Sequence, residues 1–280
     1  MPMLSPRRTV LAALAICACA GYASAQFVRG FGGFNDGGPA RMAPPDMPDR
    51  NFAVCRIMYR QVRTEPSGAG WRTDYPTAET NLMIRFSELT KTRVSVGRDR
   101  RPNNWVVRIT DEALFNCPYT VASDVGTMGL DDVEVERLRS YLLKGGFLWV
   151  DDFWGESAWA HWEHEIAKVL PPSEFPIEDV SLSDPIFKSQ YVVPRIPQVP
   201  RYPFWASTGR RETSEFGDAT RTPHFRAIRD GHGRIVVVMT RNTDIADSWE
   251  REGEEPGYFA TFSVVGYPLG VNVLLHAMTH

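Results

Sequence analysis

Residues 119–154, YTVASDVGTMGLDDVEVERLRSYLLKGGFLWVDDFW, decide the fold class of this chain. The stretch opens with Tyr119–Ser123, a short run of apolar and β-branched residues that predicts a buried strand. It closes with Phe147–Val150, an unbroken apolar run typical of a strand covered on both faces. A helix with short links on both sides would make the whole stretch a βαβ unit, with parallel strands and a right-handed crossover.

The helix between these two strands is marked at both ends. Asp131 can cap its first turn, and Glu134 follows three residues later, as a capping box requires. Leu138 and Leu142 recur at helical spacing and give the helix one apolar side. Gly145 is placed to take the left-handed position that ends it. The sequence therefore predicts an α/β fold built on a parallel sheet.

Further elements follow from the same signals. We predict strands at Phe52–Tyr59 and Arg234–Met239, a hairpin joining Phe225–Ile228 to the latter, and helices over Ser157–Leu170 and Val264–Met278. Residues 184–223 contain six prolines and are predicted to form extended loops, either a lid over a site or a contact surface.

The N-terminus has the pattern of a cleavable signal peptide over residues 1–25. Arg7 and Arg8 precede an apolar run, and small residues up to Ala25 allow cleavage before Gln26. That run is shorter than the roughly 20 residues of a bilayer span, so no stable membrane span is expected after cleavage. The chain is therefore predicted to be periplasmic or secreted, exported by an ordinary signal or by a twin-arginine signal formed by the arginine pair.

The composition of the remaining chain restricts its domain organisation and its possible partners. Residues 26–50 are rich in Gly and Pro and are predicted to be a flexible leader, whereas 51–280 has the length of a single α/β domain. Cys55 and Cys117 lie in apolar stretches, where either a disulfide or two buried thiols would fit. The net charge of −3 argues against a nucleic-acid partner.

Acidic side chains follow the predicted parallel strands. In open parallel sheets, ligands bind beyond the carboxyl ends of the strands, so these acids and the aromatic residues near them are expected to form one acidic rim. The candidate ligand-binding residues of the acidic rim are Trp71, Asp74, Tyr75, Asp124, Asp151, Asp152, Asn242, Asp244, Asp247 and Trp249, with the aromatic residues Phe153 and Trp154 beside them.

Converging carboxylates can hold a hard divalent cation or divide acid and base roles, and exposed aromatic planes suit a sugar or a peptide. The alternative is that each acid closes a turn or caps the next helix, for which Asp152 and Asp247 are well placed. His161 and His164 could face one ion, but a partly solvated helix face explains them more simply. No Gly-x-Ser-x-Gly or Gly-x-Cys-x-Gly elbow is present.

Several separated motifs resemble a bacterial family known only as domain of unknown function 4159. They are Gly70–Pro76 with Asn81-Leu82, Leu130–Leu142, Gly145–Asp152, Asn242–Glu250 and Gly270-Val271-Asn272, and they cover the chain from about residue 51 to 280 in order. The resemblance implies a flavodoxin-like three-layer sandwich similar to the class I glutamine amidotransferases. Amidotransferase activity is not implied, because the turn after Phe147–Val150 offers Asp151, Asp152 and Phe153 where that superfamily has a cysteine elbow, and no His-x-Glu pair follows near the C-terminus.

Two functions remain open at this stage. The first is a non-catalytic binding or assembly module whose rim takes a small ligand or an unknown protein partner. The second is a metal-assisted hydrolase acting on a glycan or a peptide through Asp151, Asp152, Asp244 and Asp247. The sequence predicts no organic cofactor and leaves only a divalent cation open.

Overall fold

The computed structural model describes residues 39–66 and 68–280. The strands found there are β1 (Cys55–Met58), β2 (Arg60–Gln61), β3 (Trp105–Arg108), β4 (Tyr119–Ser123), β5 (Met128–Gly129), β6 (Phe147–Asp151), β7 (Ile177–Asp179), β8 (His224–Arg229) and β9 (Ile235–Arg241). The helices are α1 (Thr77–Thr90), α2 (Asp132–Leu143), α3 (Gly155–Val169), α4 (Tyr202–Ser207), α5 (Asp247–Glu250), α6 (Pro256–Tyr258) and α7 (Val264–Thr279), with a π-helical turn at Phe259–Ser263.

A seven-stranded sheet of order β3-β1-β4-β6-β9-β8-β7 forms the centre of the fold. The five strands from β3 to β9 are mutually parallel, and β8 and β7 extend the sheet antiparallel. Counted along the chain, the parallel strands lie in the order second, first, third, fourth, fifth. The α/β class and the mostly parallel sheet predicted from the sequence are confirmed.

The βαβ unit forms as its local signals require. Tyr119–Ser123 is β4, and it pairs in parallel with β6 along its whole length. The Asp131 side chain accepts from the backbone of Glu134, and the Glu134 carboxylate accepts from the backbone of Asp131, so both halves of the capping box are present. Gly145 follows α2 with φ 114°, a value that L side chains disfavour.

The other predicted elements are present with shifted ends. The first strand is shorter than predicted, because Phe52 makes only an isolated parallel bridge to Val94. The predicted hairpin is confirmed as the β8–β9 pair, and the last helix is α7. The Ser157–Leu170 prediction corresponds to α3, which begins two residues earlier.

Each face of the sheet is covered by its own helices, which makes three layers. One core packs α1 and α7 against side chains such as Tyr119 and Trp149. The other packs α2 and α3 against Leu148 and Val150. Because successive side chains of a strand point to opposite faces, the apolar run of β6 serves both cores.

Cys55 and Cys117 form a disulfide, with their Cα atoms 5.9 Å apart. The bond joins β1 to the segment that precedes β4, and both residues are buried. Of the two alternatives that the sequence left open, the structure therefore contains the disulfide.

Part of the predicted leader is attached to the edge of the sheet. Met42 makes a parallel bridge to Val106, and the backbone of Ala43 donates to Val106. The Arg41 guanidinium lies 4.9 Å from the centre of the Trp105 ring. Residues 41–43 are therefore held at β3, while the signal peptide and the earlier leader residues lie outside the described residues.

The proline-rich segment 184–223 is mostly irregular, as predicted, but it also contains α4 and short 3-10 turns. It is fastened to α7 by the buried side chain of Asn272. The Asn272 Oδ1 accepts from the backbones of Gln190 and Tyr191, and its Nδ2 donates to the Tyr191 carbonyl. One side chain therefore satisfies three backbone groups of a segment that has no sheet partner.

One helical stretch among the described residues, Pro256–Thr279, is long and apolar enough by length and composition to cross a membrane. It contains the π-helical turn and α7, and 61% of its most apolar window is buried inside the fold. Packing of this kind is typical of a core helix. Gly266 allows α7 to pack closely against Ser248 of α5, since a Cβ at position 266 would lie 1.9 Å from the Ser248 hydroxyl.

Candidate functional site

The predicted acidic rim forms at the carboxyl ends of the parallel strands. Asp74 comes from the loop after β1, Asp152 from the turn after β6, and Asp244 from the segment after β9. One carboxylate oxygen from each lies within 4.8 Å of the other two. Three acids that are far apart in sequence therefore meet at one point, which we call the inner triad.

A second group shares Asp74 with the inner triad. Asp247 and Glu250, from the short helix α5, place carboxylate oxygens within 4.8 Å of each other and of Asp74. We call Asp74, Asp247 and Glu250 the outer triad. Glu250 was not among the predicted site residues, although it stands three residues after Asp247 and so lies on the same side of the helix.

The backbone turns sharply where these acids leave their strands. Asp74, Asp124, Asp152 and Asn242 have φ values of 67°, 54°, 51° and 57°. Asp and Asn are the residues other than glycine that most often tolerate this left-handed region. The left-handed turns explain why these residue types stand at the strand ends.

Proximity and burial disfavour the charged forms of the inner triad. Burial raises the pKa of Asp74 to about 8, Asp247 adds to the rise, and Arg56 opposes it. Burial, followed by the charge of Asp74, raises the pKa of Asp152 well above its usual range. Burial and Asp152 do the same to the pKa of Asp244. Bringing the three acids together as carboxylates therefore requires a compensating positive charge.

Among the described residues, the outer triad, unlike the inner triad, has a positively charged side chain in direct contact with two of its acids. Burial and the neighbouring Asp247 raise the pKa of Glu250 to about 10. The Arg251 Nε lies 3.1 Å from the Glu250 carboxylate and 3.5 Å from that of Asp247. The backbone of Tyr202 also donates to the Asp247 Oδ2. The guanidinium therefore offsets part of the charge at this end of the rim.

Asp151 was predicted as a site residue, but both of its carboxylate oxygens are already bonded. Its Oδ1 accepts from the Thr240 hydroxyl at 2.5 Å, and its Oδ2 accepts from the Ala246 backbone at 2.8 Å. Burial raises the pKa of Asp151 to about 7. Asp151 therefore fixes the neighbouring backbone through its hydrogen bonds, and it belongs to neither triad.

Asp124 fastens the loop that carries Asp74. Its Oδ2 accepts from the backbone of Gly70 at 2.8 Å. Burial, opposed by this hydrogen bond, raises the pKa of Asp124 to about 7. The charge of Asp124 also contributes to the raised pKa of Asp152, which places the two acids close along the rim although Asp124 is in neither triad.

Asp152 and Asp247 do not cap the helices that follow them, but the Asp244 Oδ1 accepts from the backbone of Asp247 at 2.9 Å, at the first residue of α5. Neither α3 nor α5 has a side-chain N-cap hydrogen bond. The Asp152 Oδ1 instead accepts from the Trp154 indole at 3.0 Å. Asn242 does take a structural role, since its Oδ1 accepts from the backbone of Gly155 and its Nδ2 donates to the Thr222 carbonyl.

The aromatic residues divide between the core and the surface. Trp249 and Phe153 are buried, so the expected exposed aromatic planes are wrong for these two. Trp249 packs edge-on against Trp149 in the core. Trp71 and Tyr75 contact each other with ring centres 5.9 Å apart, and the Tyr75 hydroxyl is bonded to the backbone of residue 41. The rim is therefore more acidic than aromatic.

A buried ion pair under the rim was not foreseen. Arg56 in β1 pairs with Glu79 in α1, and both side chains are at most 3% exposed. The Arg56 Nη1 donates to the Ser123 hydroxyl, which donates to the Asp74 Oδ2. A cavity of about 20 Å³ lies beside this pair, lined also by Asp151. The sequence feature that could have indicated this ion pair is the charged residue Arg56 within an apolar strand.

The proline-rich segment forms one wall of the rim. The Asp244 backbone donates to Val199, and the Tyr258 hydroxyl donates to the Pro200 carbonyl. Glu215, whose pKa burial raises to about 7, accepts from the backbone of Arg201 and pairs with its guanidinium. The segment thus borders the site and adds an acid that sequence patterns did not identify.

The two histidines that were considered as metal ligands lie elsewhere. His161 contacts the Met128 carbonyl through Nε2 at 2.6 Å. The neighbouring Glu165 accepts from the backbone of Leu130 and pairs with Lys168. His161 is half-buried and His164 is exposed, as a partly solvated helix face requires.

The fold is thus a mostly parallel α/β domain in which carboxylate oxygens lie close together at the carboxyl ends of the strands. Residues 58–278 match the family described as Domain of unknown function (DUF4159), and the chain belongs to this family. No curated protein matches the chain.

Proposed function

We propose that this chain is an exported bacterial binding module that holds a divalent cation at the acidic rim and binds a small ligand or a partner protein there. Its fold is flavodoxin-like, in the manner of the class I glutamine amidotransferases. The order of the parallel strands supports this, because second, first, third, fourth, fifth is the flavodoxin-like order.

The location of the site supports a binding role. In doubly wound sheets, ligands bind beyond the carboxyl ends of the strands where the strand order reverses. Here that point lies between β1 and β4, which are neighbours in the sheet. Asp74 follows β1, and its carboxylate accepts from Ser123 at the end of β4. The acidic rim therefore begins at the switch point.

The observation that carries the proposal is the inner triad. Asp74, Asp152 and Asp244 offer oxygen atoms within 4.8 Å of one another, and the pKa of each is raised. A divalent cation bound to these oxygens would replace the protons and remove the repulsion. Carboxylate oxygens suit Ca²⁺, Mg²⁺ or Mn²⁺ rather than softer metals.

Two features support export to an oxidising compartment. The first 25 residues have the pattern of a signal peptide. The Cys55–Cys117 disulfide is of the kind that persists outside the cytosol. The disulfide also supports the absence of amidotransferase activity, because it ties up both cysteines of the described residues and leaves no thiol there as a nucleophile.

A second candidate function is a metal-assisted hydrolase, and one observation favours it. The inner and outer triads share Asp74, so one carboxylate could bridge two cations. Paired cations with a shared carboxylate stabilise both the attacking and the leaving oxygen in many hydrolytic sites. The substrate class would be a glycan or a peptide.

Metal binding tests the main proposal. The chain from Gln26 onward is freed of metal and titrated with Ca²⁺, Mg²⁺, Mn²⁺ and Tb³⁺, while bound metal and the thermal midpoint are measured. At one hundred times Kd, binding to the folded state adds about 2.7 kcal/mol of stability. Asp152→Asn and Asp244→Asn should abolish both effects. Asp230→Asn, a buried aspartate in the β8–β9 turn, is the matched control.

The result separates the two candidate functions. One cation per chain without turnover of glycans or peptides supports the binding module. Two cations per chain, with a Glu250→Gln variant that keeps one cation and loses hydrolysis, supports the hydrolase. If no cation binds to the wild-type chain, or if the triad variants bind it as the wild type does, the cation site is wrong.

A further inference from the structure

Arg56 is a charged residue in the middle of a buried strand. It is 2% exposed, and its neighbours Cys55 and Ile57 are fully buried. Its guanidinium pairs with Glu79 and donates to the Ser123 hydroxyl at 2.7 Å. A buried ion pair contributes little net stability, and apolar residues of similar volume often replace one without loss. A role in stability alone therefore does not account for Arg56.

The hydrogen bonds around Ser123 have a fixed direction. A serine hydroxyl has one proton to donate. Because a guanidinium can only donate, the Ser123 oxygen accepts from Arg56 and its proton goes to the Asp74 Oδ2, 2.8 Å away. This arrangement favours the carboxylate form of Asp74 and fixes one of its two oxygens. One carboxylate oxygen of Asp74 also lies within 4.8 Å of the other acids in both triads.

Glu79 offsets part of the charge of Arg56 beside the rim. An unpaired guanidinium under a cation site would repel the cation. Glu79 lies in direct contact with Arg56, so the pair has no net charge. The Glu79 Oε2 has no hydrogen-bond partner, and Glu79 and Arg56 both line the cavity of about 20 Å³. The pair can therefore orient Asp74 by hydrogen bonding while opposing a divalent cation less than Arg56 alone would.

We infer that Arg56, Glu79 and Ser123 form a positioning unit for the cation site. Arg56 orients the Asp74 carboxylate through Ser123, and Glu79 offsets part of the charge of Arg56, so that residues without contact to the cation set its affinity. This inference rests on the proposed cation site. It assigns Arg56 as a positioning residue and Glu79 as its neutralising partner.

Two variants test the two parts of the unit separately. Ser123→Ala removes the link to Asp74 and leaves all charges unchanged. Glu79→Gln keeps the shape of the side chain but uncovers the positive charge of Arg56. Outer-shell partners of metal ligands are typically worth 10- to 100-fold in affinity. We expect both variants to bind Tb³⁺ and Ca²⁺ about 10- to 100-fold more weakly than the wild-type chain.

The lifetime of Tb³⁺ luminescence in H₂O and D₂O counts the water molecules on the ion, which a purely structural role would not alter. Ser123→Ala should add about one water, because Asp74 is no longer held as a ligand, and Ser123→Thr should restore the wild-type count. Glu165→Gln and Ser95→Ala are matched controls, since both residues are buried and hydrogen-bonded in other parts of the fold. Circular dichroism confirms that each variant is folded.

The outcomes distinguish this inference from the proposed function. If the wild-type chain binds no cation, the proposed function fails first. If the wild-type chain binds and folded Ser123→Ala binds with the same affinity and water count, the positioning unit is wrong. Equal or tighter binding by folded Glu79→Gln would overturn the neutralising role. Should Glu79→Gln fail to fold, Arg56→Gln combined with Glu79→Gln removes both charges, and it should match Ser123→Ala.

Discussion

The carboxyl of Asp74 should contribute to the pH dependence of the stability of the metal-free protein. Asp74 is the residue that the inner and outer triads share, and Asp74→Asn keeps its size while removing its charge. Its pKa is about 8 in the folded chain, against an ordinary value of 3.8. Between these values the folded state holds a proton that the unfolded state has lost.

The sign and the size follow from proton linkage. A group with a raised pKa favours the folded state at low pH, and this stability is lost as pH rises from about 4 to about 8. One proton corresponds to about 1.4 kcal/mol per pH unit, or about 2.7 kcal/mol between pH 5 and pH 7. For a domain of this size, that lowers the thermal midpoint by about 5–10 °C.

The assay is thermal unfolding of the metal-free chain in chelator at pH 5, 6, 7 and 8. The wild-type thermal midpoint should fall across this range. In Asp74→Asn it should fall less, by an amount that corresponds to the loss of about one titrating proton. Adding Ca²⁺ should raise the wild-type midpoint most at pH 8, because the cation no longer competes with protons. The Asp74→Asn variant should not respond to Ca²⁺.

Asp230→Asn is the control for pH dependence. Backbone hydrogen bonds from Arg234 and His232 help to hold the pKa of Asp230 below its ordinary value, so its stabilising effect is lost only at pH values below about 4. The Asp230→Asn midpoint should be lower than that of the wild type, but its slope from pH 5 to pH 8 should be unchanged. Equal slopes for wild type and Asp74→Asn would refute the assignment of a raised pKa to Asp74.

Three further changes test the fold around the site. Replacing Cys55 and Cys117 by alanine opens a loop closed across 62 residues and should cost about 4 kcal/mol in urea unfolding, and reduced wild type should match the variant. Asn272→Leu removes three hydrogen bonds to the proline-rich segment and should cost about 1–3 kcal/mol and speed tryptic cleavage after Lys188. Thr240→Val leaves the Trp149 indole and Asp151 without their hydroxyl partner and should cost about 1–3 kcal/mol of unfolding free energy.

Each of these predictions has its own contrary result. An unchanged urea midpoint for the alanine pair would show that the disulfide does not constrain the unfolded chain. Asn272→Asp keeps the oxygen that accepts from Gln190 and Tyr191, so it should be cleaved more slowly than Asn272→Leu; equal rates would argue against the anchoring role. Thr240→Ser keeps the hydroxyl and should recover most of the stability lost in Thr240→Val.

The βαβ unit could be predicted from the sequence because its signals act over a few residues. The capping box of Asp131 and Glu134, the glycine at 145 and the apolar run of β6 each depend on neighbours within a helical turn or a strand. The parallel pairing of β4 with β6 then follows from the crossover. These features required no knowledge of distant contacts.

The acidic rim was only partly predictable. That acids stand at the ends of parallel strands is a local property, and Asp74, Asp152 and Asp244 were named on that ground. Asp151 was named for the same reason, yet its side chain is used by Thr240 and the backbone of residue 246. Asp151 ends β6, whereas Asp152 stands in the left-handed turn after it, and a sequence pattern does not show how such a turn directs the two side chains.

By itself, the sequence determined the βαβ unit, the β8–β9 hairpin, α3 and the last helix, and it indicated the edge of the sheet at which acids gather, but it did not predict α1 or β3. Only the tertiary structure decided which acids meet, that Cys55 joins Cys117, and that Arg56 and Glu79 lie beneath Asp74. The physical reason is the distance along the chain over which each kind of interaction acts. Capping, periodicity and turns are set by neighbours along the chain, whereas the distance between two side chains far apart in sequence is fixed by strand order and backbone turns, which many residues decide together.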